Sequence, residues 1–138
     1  MAFDLSTLVT DRTSEDVAAR NAKGTYNAAD LNRVGAAVEY IAGRFTAYGY
    51  ASPVTVKTDW IEENVPTASQ MEVYRQNIAT LRGTIAVMAS TPETPESMAG
   101  LNYVRANDIE QILLDLDTLI TNMTQAWFFS GDLYTGET

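Results

Sequence analysis

Carboxylates are the main side chains through which this sequence could perform acid–base chemistry, because the chain contains neither His nor Cys. Two carboxylates that face each other could hold a cation or divide the acid and base roles of glycoside hydrolysis. Asp115 and Asp117 lie two positions apart in a predicted helix, so their side chains point to different sides. The other close pairs are no better placed: Asp108 with Glu110, and Glu62 with Glu63. We interpret all of these residues as helix-start charges or as solvated surface groups.

Other catalytic and metal-binding patterns are also absent from the sequence. Without His there is no Ser–His pair and no common zinc-binding set, and without Cys there is no disulfide or thiolate nucleophile. No glycine-rich phosphate loop, calcium loop or Ser-x-x-Lys motif occurs. Residues 122–124 match a glycosylation acceptor, but they lie inside a predicted helix, and we interpret the match as chance. We therefore expect a protein that is not an enzyme and that uses no cofactor or metal ion.

The charge balance argues against nucleic acids and membranes as partners. The chain carries 18 Asp and Glu against 9 Lys and Arg, a net charge of −9, which repels phosphate backbones and anionic lipid surfaces. No run approaches the ~20 apolar residues of a membrane span. The first residues lack the basic and apolar regions of a signal peptide. We therefore expect a cytoplasmic protein.

Three segments of the sequence show the apolar period of an amphipathic helix, which predicts an all-α bundle. We place the three long helices at about residues 27–49, 67–89 and 107–130. Gly49 and Gly131 would end the first and third helices, and Gly83 inside the second would let another helix pack closely. Each long helix begins with two residues that can form a capping box: Asn27 with Asp30, Thr67 with Gln70, and Asn107 with Glu110.

We expect these helices to belong to one domain over residues 1–138. A short additional helix is predicted near residues 14–23, where a further capping box can form. Residues 1–12 would form an arm and residues 132–138 a tail, and both are candidates for flexibility.

The two connections, about residues 50–66 and 90–106, are long enough to run the full length of the bundle. Residues 54–56 alternate in polarity, so part of the first connection can be extended. Counting Met71 and Ile109 as heptad a positions places opposite charges at e and g positions, which meet between parallel helices. These charges are Arg75 and Arg82 on the second long helix, and Asp108 and Asp115 on the third. The pattern favours parallel second and third helices, and an antiparallel arrangement stays open.

The last residues of the chain crowd several aromatic side chains into a short stretch, QAWFFSGDLYTGET. A rotation of about 100° per helical residue places Trp127 on the buried line of the third helix and turns Phe128 and Phe129 away from it. Leu114 lies on the same side as Phe128, which gives this helix a second, sparser apolar patch. The N-terminal arm, the first connection or another subunit would cover that patch. The candidate interface residues are Leu114, Phe128, Phe129, Tyr134 and Trp60.

Four stretches of the chain are distinctive in their sequence and in their order: GTYNAADLNRVGAAVEYIA, VTVKTDWIEENVPTASQMEVYRQNIATLR, ESMAGLNYVRANDIEQILLDLDTLITNM and AWFFSGDLYTGE. Together they resemble a family of small, largely uncharacterised proteins from prophages of gut Firmicutes, and the resemblance runs from about Asp11 to Glu137. Members of that family occur among tail and minor structural genes. The resemblance therefore implies a structural role in a virion, near the tail or its host-facing end, and it brings no catalytic residues.

We accordingly expect a non-enzymatic phage or prophage structural protein that is associated with the tail and acts through contacts with other phage proteins or with itself. It would be made in the bacterial cytoplasm and then enter the particle. The alternative is a small regulatory or adaptor module that binds a single phage or host protein. A tip that binds a receptor or a glycan through exposed aromatic side chains, such as Trp60 or Tyr50, also stays open.

Overall fold

The computed structural model of the protein describes residues 4–21, 23–63 and 65–137, with side chains up to residue 125. All regular structure in these ranges is helical, which confirms the predicted all-α bundle. A single 3-10 turn at Leu5–Thr7 precedes the α-helices. These are α1 (Ser14–Ala19), α2 (Ala28–Ala47), α3 (Ala68–Arg82) and α4 (Tyr103–Glu137).

Local capping explains where the first three α-helices begin. Each starts with a complete capping box, in which the cap side chain accepts from the third helical amide and the third side chain accepts from the cap amide. The boxes are Thr13 with Asp16, Asn27 with Asp30, and Thr67 with Gln70. The end of α2 also follows the sequence, because Gly49 adopts a positive φ of 89°. The Tyr50 ring then packs edge-on against Phe45, with ring centroids 6.2 Å apart.

The predicted end of the second long helix is wrong. This helix, α3, stops at Arg82, and Gly83 is its C-terminal cap rather than an interior residue. A Cβ atom on Gly83 would meet nothing closer than the Ala79 carbonyl oxygen at 3.4 Å, so no other helix packs closely there. The close approach predicted at Gly83 occurs instead at Gly35 of α2, where a Cβ atom would lie 2.9 Å from the Lys57 carbonyl oxygen.

The predicted start of the third long helix is also wrong. The helix, α4, begins at Tyr103, and the Asn102 side chain accepts from the Arg105 amide at 2.9 Å, as a cap does. Asn107 and Glu110 therefore lie within the helix and do not form its capping box. The helix also continues past Gly131 to Glu137.

The three long helices run in the same direction. Arg33 of α2 binds Glu110 of α4, and further along both helices Arg44 binds Asp117, so α2 and α4 are parallel. The first connection returns along α2, because Lys57 faces Gly35. Ile61, Val65 and Pro66 then lie beside the start of α2, and α3 begins there.

The second connection returns along α3 in the same way. The Arg82 side chain donates to the Pro92 carbonyl. Arg75, which lies closer to the start of α3, donates to the Pro95 carbonyl. The parallel arrangement that the charge pattern favoured is therefore present, but the e and g residues do not pair across helices. Arg75 binds Glu72 within α3, and Asp108 binds Arg105 within α4.

Each long helix sends one asparagine to the backbone of a non-helical segment. The side-chain oxygen accepts from a backbone N–H while the side-chain amide donates to the C=O of the same residue, at donor–acceptor distances between 2.7 and 3.0 Å. We call these pairs the Asn clamps: Asn32 with Trp60, Asn77 with Thr55, and Asn107 with Arg12. They replace the backbone partners that the irregular segments lack and hold those segments on the bundle.

The apolar core fills the space between the three long helices. Its largest fully buried side chains come from all of them: Ile41 and Phe45 of α2, Ile78 and Leu81 of α3, and Ile109, Ile112, Leu113, Leu116 and Ile120 of α4. Burial on this scale, about 1.5–3 kcal/mol for each large apolar side chain, is the main force that holds the parallel helices together.

Candidate functional site

The structure places two of the five candidate interface residues with their surroundings. Leu114 is partly buried and packs against the core. Trp60 is only 6% exposed and lies between α2 and α3 rather than at the surface. Phe128, Phe129 and Tyr134 lie outside the residues whose side chains are described. The apolar patch predicted on α4 is therefore not tested. Trp60 instead lines a cleft between α2 and α3.

A cleft of about 300 Å³ opens between α2, α3 and the first connection. We call it the Trp60 cleft. Gly35 and Val38 of α2 line one side, and the first connection supplies Thr55, Val56, Lys57 and Trp60. The wall from α3 consists of Ser69, Gln70, Val73, Tyr74 and Asn77. Most of the exposed surface inside the cleft is apolar, so the cleft can accept an apolar group of modest size.

A second cavity, of about 230 Å³, adjoins the cleft and shares Trp60 with it. Ile61 and Val65 line this cavity, and they are 51% and 86% exposed. Val73, on the wall of the Trp60 cleft, is 44% exposed. Exposed apolar side chains therefore continue from one cavity to the other across Trp60, and such concentrations on a small protein mark sites of interaction.

The polar groups around the Trp60 cleft differ in whether they already have partners. The Lys57 ammonium lies 5.1 Å from the centre of the Trp60 ring and 2.7 Å from an Asp59 carboxylate oxygen. The buried indole N–H of Trp60 has no acceptor in the described residues. Glu62 lines the adjoining cavity and makes no ion pair within the described part of the chain. Lys57 is thus the charged residue on the wall of the cleft, and the Glu62 carboxylate belongs to the adjoining cavity.

A separate group of buried and partly buried charges lies where α2, α4 and the N-terminal segment meet. We call it the ion cluster: Arg12, Asp30, Arg33 and Glu110. An Nη2 atom of Arg12 lies 2.6 Å from Glu110 Oε2 and 3.4 Å from Asp30 Oδ1. Arg33 binds both carboxylates as well, at 2.6 Å from Asp30 and 2.9 Å from Glu110. Two positive and two negative charges leave the cluster neutral.

The ion cluster also anchors the N-terminal segment. Fully buried Glu110 accepts a hydrogen bond from the Val9 amide at 2.9 Å, and the Asn107 clamp holds the backbone of Arg12. Leu8 inserts into the apolar core. The segment that the sequence presented as an arm is therefore attached to the bundle from Leu8 to Arg12.

Two tyrosines border the ion cluster, and their hydroxyl groups contact each other: Tyr26 before α2 and Tyr74 of α3. The Arg12 guanidinium lies over the Tyr26 ring, 5.5 Å from its centre. Removal from water, together with the negative charge of Glu110, raises the pKa of both phenols well above their usual value. Burial disfavours the charged form of Arg33, but its hydrogen bonds to Glu110 and Asp30 outweigh that effect and raise its pKa.

Glu110 is the most extensively hydrogen-bonded member of the ion cluster. Glu110 accepts four hydrogen bonds, one from Val9, one from Arg12 and two from Arg33, so no lone pair remains well placed for a substrate. Sequence reasoning missed the cluster because Glu110 had been interpreted as a cap and Arg12 as part of an arm. The one available signal was a charged residue beside the apolar line of α4, which is too common to identify a partner about 100 residues away.

Within the described residues, no group of three or more acidic side chains is arranged to hold a metal ion. Among the helices of that part of the chain, none is both long and apolar enough to cross a membrane. Comparison of the chain with protein-family models, with curated proteins and with solved structures gave no match in any of the three.

Proposed function

We propose that this protein is a non-enzymatic structural component of a phage or prophage particle, associated with the tail, that acts through contacts with other proteins. The setting rests on the four stretches of sequence that resemble prophage proteins. One observation carries the contact role: of seven exposed large apolar side chains in the described chain, three border the two cavities that share Trp60. These are Ile61, Val65 and Val73.

The carboxylates of the ion cluster and the Asn clamps support the same proposal, because their hydrogen-bonding groups are already engaged. The two carboxylates of the ion cluster are paired with both of its arginines, and the three Asn clamps use both ends of each amide. Groups held in this way stabilise a fold and have little capacity to bind and convert a substrate. Apolar surface is what remains available to a partner.

Charge and copy number would act together in such a component. A net charge of −9 keeps free subunits apart in solution before assembly. An apolar contact that is weak for one subunit becomes sufficient when many copies bind in one particle. The protein would be made in the bacterial cytoplasm and would then become part of the particle.

The direct test is peptide mass spectrometry of purified particles after induction of the host prophage, with copy number measured against a major tail protein. We expect stoichiometric recovery, at three, six or a multiple of these. Absence from intact particles, with the protein abundant in the lysate, would refute the structural role. A monomer that forms a defined one-to-one complex would then identify the adaptor.

The C-terminal aromatic residues provide a second test of the contact role. Replacing Phe128 and Phe129 with Ser should weaken self-association or partner association while helicity and monomer stability change little. Circular dichroism and analytical ultracentrifugation measure the two effects separately. A collapse of the fold would show that these rings belong to the core.

A further inference from the structure

The apolar surface around Trp60 has features of a site for a particular kind of partner. We propose that the Trp60 cleft binds an extended segment of a partner protein, with an apolar side chain in the cleft and a basic side chain against Glu62. This inference deepens the proposed function and rests on it for the premise that the protein acts through protein contacts.

The size and lining of the cleft suit one or two apolar side chains. Its volume of about 300 Å³ lies at the lower end of the ~300–1,000 Å³ typical of small-molecule sites. Trp60 shows an aromatic wall to both cavities, and its buried indole N–H lacks an acceptor. The indole nitrogen is itself shielded from solvent, so a bound segment would contact the carbon atoms of the ring rather than this donor.

One wall of the cleft also offers free backbone groups. Val56 and Thr58 both turn a methyl group toward Gly35, as alternate residues of an extended chain do. The Asn clamps engage the backbone only at the two ends of this stretch, at Thr55 and Trp60. Among the described residues, no hydrogen bond engages the backbone amides of Val56, Lys57 and Thr58. An extended partner segment could pair with such an edge, which is how many domains capture peptides between a strand and a helix.

The charge around the two cavities selects among partners. Lys57 is already engaged by Asp59 and by the Trp60 ring, whereas Glu62 beside the cleft has no ion-pair partner in the described residues. A basic side chain two or three residues from the apolar anchor would meet this carboxylate and improve both encounter rate and specificity. The same charge disfavours a second copy of this chain, whose own net charge is −9.

The test is selection from a random dodecapeptide library displayed on filamentous phage, performed in parallel on the wild-type protein and on Val73→Glu. Val73 is 44% exposed, so the variant should keep its fold, which circular dichroism checks. We expect enrichment on the wild type alone of peptides with an apolar residue close to Lys or Arg. A synthetic peptide of the enriched sequence should bind Val73→Glu at least tenfold more weakly and shift the amide resonances of residues 55–60.

A variant with the opposite charge at Glu62 tests the role assigned to the basic side chain of the peptide. Glu62→Lys should weaken the selected basic peptide severalfold and improve the binding of its glutamate-substituted counterpart. Equal enrichment on the wild type and on Val73→Glu would overturn the proposal, as would selected peptides without a basic residue. Self-association abolished by Val73→Glu would show that a second copy occupies the cleft. Particle mass spectrometry is independent of these results, so the cleft and the virion role can fail separately.

Discussion

Two interior glycines of α2 should respond in opposite ways to replacement by alanine. At Gly35 an added Cβ atom would lie 2.9 Å from the Lys57 carbonyl oxygen and 3.3 Å from methyl carbons of Val56 and Thr58. At Gly43 an added Cβ atom would meet nothing within 4 Å. Alanine favours a helix over glycine by about 1 kcal/mol at either position. The two variants therefore differ only in what the new methyl group touches.

The expected magnitudes follow from these distances. Gly43→Ala should raise the free energy of unfolding by up to about 1 kcal/mol. Gly35→Ala gains the same helical preference, but the contact with a backbone oxygen forces the connection outward, and overpacking of this kind costs about 1–3 kcal/mol. We expect Gly35→Ala to range from neutral to about 2 kcal/mol less stable. The difference between the two variants, about 1–3 kcal/mol, then isolates the steric cost.

Urea unfolding followed by circular dichroism measures both variants against the wild type, with unchanged m-values as the sign of an unchanged unfolded state. Amide resonances of residues 55–60 should move in Gly35→Ala and stay in place in Gly43→Ala. If both alanine variants were stabilised equally, the first connection would not lie against α2. The wall of the Trp60 cleft would then be misplaced.

Three further predictions concern the polar interior. Glu110→Ala should lower the free energy of unfolding by about 3–5 kcal/mol, because it leaves buried Arg12 and partly buried Arg33 with one carboxylate. Asn77→Ala should cost about 1–3 kcal/mol and speed hydrogen exchange at the Thr55 amide. Tyr26 and Tyr74 have raised pKa values, so their contribution to stability is complete below about pH 10 and is lost as pH rises toward the folded-state values. The free energy of unfolding should fall there by up to about 1.4 kcal/mol per pH unit for each tyrosine.

Control variants test the physical cause assigned to each of these three predictions. Glu62→Ala removes an exposed carboxylate and should change stability by less than about 0.5 kcal/mol; a similar loss in Glu110→Ala would contradict the ion cluster. Gln76→Ala, next to Asn77 but exposed, should leave the Thr55 amide protected. Tyr74→Phe should make the alkaline loss less steep, and an absorbance titration in which all seven tyrosines ionise together near pH 10 would refute the burial of the pair.

The sequence by itself determined the helical class and the starts of three helices. Those features depend on contacts within one helical turn: the apolar period, the boxes at Asn27 and Thr67, and the left-handed glycine at Gly49. The same local reasoning excluded His- and Cys-based chemistry, because composition alone decides it. Where a local signal was ambiguous, the sequence misled, as when Asn107 was interpreted as the cap of a helix that begins at Tyr103.

Only the tertiary structure decided which distant residues meet. Arg12 and Glu110 are 98 positions apart, and no local pattern in either segment indicates the other. The Trp60 cleft likewise exists because the first connection returns along α2 and is held there by side chains of two different helices. Such sites depend on the path that a connection takes across the bundle. That path is set by long-range packing and buried hydrogen bonds, whose partners are chosen in space and leave no regular spacing in the chain.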